Sequence, residues 1–251
     1  MAKQKHLQIE AGDVGRYVLL PGDPGRCEKI AAFFESPSEV AYNREFRTVT
    51  GTLLGEQVSV VSTGIGNPSA AIAIEELKNV GADTLIRVGT SGGMRPDVTP
   101  GDLGLIQASI RDEGTTKHYM PVAFPALAHI DVLIALREAA QQLGYPAHIG
   151  ISHSKDSFYG QIEPERMPVA EYLLDRWHTW VKGGTLCAEM ESATLFTLGA
   201  IYRLRTGSIV LIAMNQGKPE LGSVSDVRPM IATATKALKI LIQRDRKERK
   251  E

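Results

Sequence analysis

The sequence lacks most features that would direct it to a membrane, a secretory route or a nucleic acid. Only two cysteines occur in 251 residues, Cys27 and Cys187, far apart and in no Cys-x-x-Cys arrangement. That excludes a disulfide scaffold and a cysteine-based metal site, and predicts reduced thiols in a reducing compartment. No apolar run approaches the roughly 20 residues that span a bilayer, and the opening MAKQKHLQIE has no apolar signal-like core. Excess charge of one sign is missing too. With a formal net charge of -1, no global field recruits nucleic acid or an anionic membrane, so any bound anion must be met by local positive groups. There is no G-x-x-x-x-G-K-[ST] phosphate loop, no G-x-S-x-G elbow, no histidine pair at metal-ligand spacing and no evident Cys–His pairing. A cytoplasmic globular chain is expected, 43% hydrophobic and 23% charged, with one domain spanning 1–251.

What is present is an alternation of short apolar runs with amphipathic stretches. Strands are predicted at Tyr17–Leu20, Val58–Ser62, Thr84–Val88, Leu103–Ala108, His148–Ile151 and Ser208–Met214. Several of these runs are continuously apolar, the pattern of strands covered on both faces in α/β architecture. Helices are predicted over about Asp131–Leu143, Pro168–Trp180, Glu189–Tyr202 and Val227–Arg244. Two further helix starts are legible. In PGDPGR, Asp23 is placed to cap and Pro24 to open a helix, with Gly22 in the turn; in STGIGNP, Asn67 and Pro68 repeat the pair, and Gly81 is placed to end that helix. The closing QRDRKERKE is a mixed charge run that predicts a solvated, fraying terminus.

Four segments could carry chemistry. Arg26 in PGDPGR is either an anion ligand at a helix start or a solvated arginine after a tight turn. Arg87 lies inside the apolar strand IRVGTSGG, where a charge is costly unless paired, so a bound anion or a carboxylate partner is expected. Thr90 and Ser91 then fall beyond the strand end, where ligands gather in open α/β sheets. In AEMESA, Glu189 and Glu191 either complement a helix dipole or clamp a polyol. The segment KDSFYGQIEPER offers aromatic, amide and guanidinium groups suited to a planar heterocycle, or is a surface loop with incidental aromatics.

Taken in order, PGDPGR, NREF, STGIGNPSAAIAIEEL, IRVGTSGG, SFYGQ and AEMESATL resemble the nucleoside phosphorylase-I family, and within it the uridine-cleaving branch of Gram-positive bacteria. The resemblance runs from about His6 to the last helix. It implies a three-layer α/β/α sandwich with a mixed, partly barrel-like sheet, assembled as a homohexamer of dimers. It also implies reversible phosphorolysis of uridine to uracil and ribose 1-phosphate in pyrimidine salvage, with inorganic phosphate as co-substrate and no required cofactor. Matched to the family's motifs, Gly22, Arg26, Arg87 and Thr90 would bind phosphate, joined by Arg44 of a neighbouring copy. Glu189, Met190 and Glu191 would hold the ribose, with His6 of the neighbour on the 5′-hydroxyl. Phe158, Gln161 and Arg166 would hold the base, and Arg87, Glu191 and Arg166 would carry the catalysis. Some relatives also hold a potassium ion at the dimer interface, whose ligands correspond to Glu45, Ile65 and Ser69.

Two departures bear on the base. Gln161 and Arg166 are five apart in GQIEPER, against two apart in the enterobacterial enzymes' GQER. Downstream, Met214-Asn215-Gln216 stands where hexameric purine enzymes have a proton-donating aspartate, and neither Asn215 nor Gln216 is an acid. A purine nucleoside phosphorylase is therefore the weaker alternative, followed by a catalytically silent nucleoside-binding protein.

Overall fold

The apolar runs form the middle of one continuous mixed sheet in a computed structural model that describes residues 3–249. In chain order the elements are β1 (Tyr17–Leu20), α1 (Gly25–Ala31), β2 (Glu35–Asn43), β3 (Phe46–Leu53), β4 (Glu56–Val61), α2 (Asn67–Asn79), β5 (Thr84–Gly93), β6 (Leu103–Asp112), β7 (Ala126–Leu127), α3 (Ile130–Leu143), β8 (Ala147–Lys155), α4 (Tyr159–Ile162), α5 (Ala170–Lys182), β9 (Cys187–Glu189), α6 (Ser192–Tyr202), β10 (Arg205–Asn215) and α7 (Arg228–Glu248). Strands β5, β9, β8, β6 and β10 pair in a closed ring, and β1, β4, β3 and β2 extend from β5 as an arm. Ile30 of α1, Leu136 of α3 and Leu238 of α7 belong to one buried apolar cluster, and Ile74 of α2 and Phe196 of α6 to another. The result is the expected three-layer α/β/α sandwich with a partly barrel-like sheet.

Every predicted strand is present, and the differences have local causes. The predicted helix 189–202 begins only at Ser192, because Cys187–Glu189 pairs as a short strand between β5 and β8. Asn67 does not cap α2. Its side chain is fully buried and accepts from Thr194 Oγ1 at 2.8 Å, while Gly66 (φ +98°) holds the cap position. Asp23 does not hold the cap position of α1 either: Pro24 does, and the helix begins at Gly25, one residue later than expected, although Asp23 Oδ1 still accepts from Gly25 N at 2.8 Å. The β2–β3 hairpin was not predicted. β2 is a mostly exposed edge strand with register shifts and an interior proline, so it carries no apolar signal.

The charged terminus is also not as expected. α7 runs on to Glu248, while Lys250 and Glu251, part of the run predicted to fray, lie outside the described residues. Asp245, within that run, is buried and takes Tyr17 Oη at 2.5 Å and Arg205 Nη1 and Nη2 at 2.8 and 2.6 Å. This knot pins α7 to β1 and β10. Although burial alone would raise it, the bonds from Arg205 and Tyr17 draw the Asp245 carboxyl below its usual range. Asp245→Ala leaves Arg205 and Tyr17 without their shared acceptor. Its expected cost is at the lower end of the ~3–5 kcal/mol seen when one member of a buried pair is removed, read as a lower urea midpoint at unchanged slope. A variant within experimental error of the parent would show the knot to be surface decoration.

Candidate active site

Seven segments of the chain converge on a cleft of about 900 Å³, near the top of the ~300–1,000 Å³ range of small-molecule sites. They are the β1–α1 turn, the β2–β3 turn, the β4–α2 connection, the end of β5, the β8–α4 connection, the β9–α6 turn and the end of β10. The turn after β1 approaches the turn after β4 so closely that a Cβ on Gly22 would lie 3.0 Å from Gly64 O. A side chain there would push the two walls apart.

Arg87 is the centre of the site. It sits in β5 between Leu20 of β1 and Ser208 of β10, with its side chain 7% exposed. Its Nη2 is in direct ion-pair contact with Glu191 Oε2, and its Nε lies 3.2 Å from Glu189 Oε2. Of the two readings of Arg87, the carboxylate pairing is present: the partners are the acids of AEMESA. Gly89 makes room for it, since a Cβ there would fall 2.6 Å from Arg87 Nη2.

The two acids are held differently. Glu189 Oε2 accepts from the backbone N–H of Glu191 and Ser192 at 2.9 and 2.8 Å, capping α6, and its Oε1 accepts from Ser152 Oγ at 3.2 Å. Glu191 Oε1 accepts from Gly66 N at 2.6 Å. Burial raises the Glu191 carboxyl above its usual range, against the pull of Arg87. Both carboxylates line the cleft, as does Met190 between them.

Arg26 faces Arg87 across the cleft floor. Its Nη1 donates to Val88 O at 3.1 Å, and among the described residues no carboxylate lies within ion-pair distance of it. Burial and the neighbouring Arg87 both lower its pKa. Two guanidiniums brought together with carboxylates on only one of them make a site for an anion. Thr90 is exposed at this end of the cleft, whereas Ser91 is turned inward, with Oγ donating to Leu211 O at 3.4 Å.

The opposite wall carries Phe158, half-exposed and edge-on to Tyr159, and Gln161, whose Nε2 donates to Gln216 Oε1 at 2.6 Å. It also carries Lys155, passed over in the sequence although it stands in the same segment. Lys155 is 8% exposed and has no carboxylate within ion-pair distance among the described residues. Burial lowers its pKa, opposed by the more distant Glu189 and Glu191. Its strand, AHIGISHSK, mixes histidines and serines with its apolar residues, so the lysine did not stand out as Arg87 did.

Some expected residues lie elsewhere. Arg166 does not line the cleft: its Nε pairs with Glu163 at 2.8 Å and its guanidinium lies over the Tyr159 ring. Arg44 is exposed at the β2–β3 turn with φ +55°, and the His6 ring is 2.7 Å from Glu76, both outside this chain's cleft. Glu45, Ile65 and Ser69 do come together at the cleft rim, where Ser69 Oγ reaches Glu45 Oε1 at 2.8 Å. Asn215 is committed structurally, donating to Arg95 O and Val98 O and accepting from Gly217 N.

Comparison with known proteins agrees with this geometry. The phosphorylase superfamily matches residues 16–244. A uridine phosphorylase of Treponema pallidum (strain Nichols) is 48% identical, covering 96% of this chain and 95% of that protein. One from Thermococcus kodakarensis is 45% identical over 96% of this chain and 88% of its own length. A crystal structure of uridine phosphorylase from Vibrio fischeri ES114, complexed with 6-hydroxy-1-naphthoic acid, superposes with a TM-score of 0.84 at 30% identity, covering 97% of this chain and 98% of that one. A shared architecture and a match to nearly the whole sequence lead to one assignment: the chain belongs to the phosphorylase superfamily.

Proposed function

We propose that the protein is a uridine phosphorylase that cleaves uridine with inorganic phosphate, giving uracil and ribose 1-phosphate in pyrimidine salvage. The observation that carries the phosphate half is the meeting of Arg26 and Arg87, of which only Arg87 has carboxylate partners. Phosphate held by these two guanidiniums, with Gly22 and Thr90 beside them, lies at the end of the cleft that also carries Glu191 and Met190. Glu191, fixed by Gly66 N–H and Arg87, accepts from the ribose hydroxyls.

In the reaction the C1′–N1 bond breaks as a bond from C1′ to a phosphate oxygen forms. The bonding pair leaves with the base and spreads onto its carbonyl oxygens, and the base takes its proton from solvent or phosphate on release. Fixed orientation of the nucleophile removes much of the entropic barrier. The Lys155 ammonium and the Gln161 amide stand on the base side of the cleft, where a donor gains strength as the base becomes an anion. No covalent enzyme intermediate and no organic cofactor enters these steps.

Assembly belongs to the same reading. Ile65 at the cleft rim is 79% exposed, an apolar surface suited to cover by a second copy, which would bring Arg44 and His6 into its neighbour's cleft within a hexamer of dimers. The oxygens of Glu45 and Ser69 suit a hard cation such as potassium. One chain offers only a single carboxylate there, so such an ion would be shared between copies. Among the described residues, no helix is long and apolar enough to cross a membrane, and the two cysteines are free and buried, in keeping with a cytoplasmic location.

The test is base release from uridine, thymidine and inosine, each with and without phosphate. Uracil release that requires phosphate is expected. Preference for inosine would overturn the base, and release without phosphate would overturn the reaction class.

A further inference from the structure

Gln216 has no role in the steps above, yet it lies on the cleft floor at the end of β10. Its backbone N donates to Gly93 O at 3.1 Å, and its side chain crosses Gly92, where an added Cβ would sit 3.6 Å from its Cδ. That places the amide at the junction of β10 and β5. From there its Oε1 accepts Gln161 Nε2 at 2.6 Å, joining two walls 55 residues apart in sequence. Gln161 itself sits on α4, a single short turn beside α5, none of whose residues is buried. The Gln161 amide is therefore oriented by Gln216, not by the packing of its own helix.

We infer that Gln216 is a positioning and specificity-determining residue for the base, acting by clasping Gln161 to the end of the sheet. Spending the Gln161 N–H on Gln216 fixes which way the amide faces and leaves Gln161 Oε1 as its acceptor. That oxygen is buried and has no partner in the structure, a costly state that a ligand N–H relieves. The Gln216 Nε2 group makes no hydrogen bond within the described residues and remains a donor at the cleft floor. Acceptor and donor side by side suit a ring imide, in which an N–H stands beside a carbonyl. This rests on the uridine reading for the identity of the ring, but the clasp itself does not.

The experiment is a double-mutant cycle of Gln216→Leu and Gln161→Leu, run on whichever nucleoside the wild-type enzyme cleaves. Gln216→Leu is expected to raise the nucleoside KM about tenfold, the scale of one lost hydrogen bond, with the phosphate KM within twofold of wild type. The double variant is expected to cost less than the sum of the two single variants, since the clasp has nothing to hold once its partner is gone and only the loss of the Gln216 donor is added. Gln216→Glu keeps an acceptor for Gln161 Nε2 but lacks the Nε2 donor, and is expected to recover only part of the KM lost in Gln216→Leu. Additive effects of the two leucine variants, or an equal rise in both KM values, would overturn the clasp. Inability of the wild-type enzyme to use uridine would instead overturn the base assignment and leave the cycle interpretable.

Discussion

Arg26→Ala is expected to raise the KM for phosphate by about a hundredfold while leaving the melting temperature unchanged or higher. The two halves have one cause. Arg26 is largely withdrawn from water beside a second guanidinium, and both circumstances disfavour its cation, as its lowered pKa records. The protein without phosphate therefore bears an unfavourable charge that a bound dianion turns to advantage. Alanine removes the repulsion and the ligand contact together. Only one polar contact to the protein is lost, the bond from Arg26 Nη1 to Val88 O. Phosphate titrations of the initial rate, beside thermal melts in phosphate-free buffer, would read both quantities. A variant with normal phosphate KM would remove Arg26 from the site, and a large fall in melting temperature would make it a structural residue.

Arg87 behaves in the opposite way. Judged by sequence alone, Arg87→Ala is expected to damage phosphate use far more than folding. In the structure Arg87 neutralises two buried carboxylates, and Glu189 Oε2 also accepts Glu191 N at 2.9 Å. Removing it leaves two uncompensated buried acids, so activity and stability fall together. Arg26 is thus the cleaner probe of phosphate binding, a distinction no single motif carries.

The parts of the molecule legible in advance were those with local causes. Apolar runs gave the inner strands because burial on both faces leaves a continuous signal. Arg87 stood out because an arginine in such a run must be paired. Its partners could not be named: Glu189 lies far downstream on a strand of three residues, too short for any periodicity to register, and Glu191 in the turn after it. Asn67 was read as a cap because nothing in its neighbourhood shows that Thr194 comes to meet it. Asp245 looked solvated because its neighbours are charged, while its partners Tyr17 and Arg205 lie in other elements. Arg166 was placed on the base by analogy of motif, and its spacing from Gln161 instead lets it pair locally with Glu163.

Lys155→Met is expected to lower kcat for uridine by about 10²–10³-fold, the loss that follows removal of one fixed donor from a developing anion, with the phosphate KM little changed. The side chain is buried without a carboxylate in ion-pair contact, so it is not needed to neutralise the fold, and methionine fills its space without a charge. The dependence on leaving group separates catalysis from packing. A 5-fluorouracil leaving group carries negative charge more easily, so 5-fluorouridine is expected to lose less activity than uridine in the variant. A packing defect would penalise both alike. The pH profile gives an independent check. Burial sets the Lys155 pKa below that of a free lysine, so its cation is lost as the pH rises through that lowered value. Wild-type kcat is expected to fall along that alkaline limb, and the limb is expected to be absent from the methionine variant. A variant with the wild-type profile and equal losses on both nucleosides would take Lys155 out of the chemistry and return the base to Gln161 and its clasp.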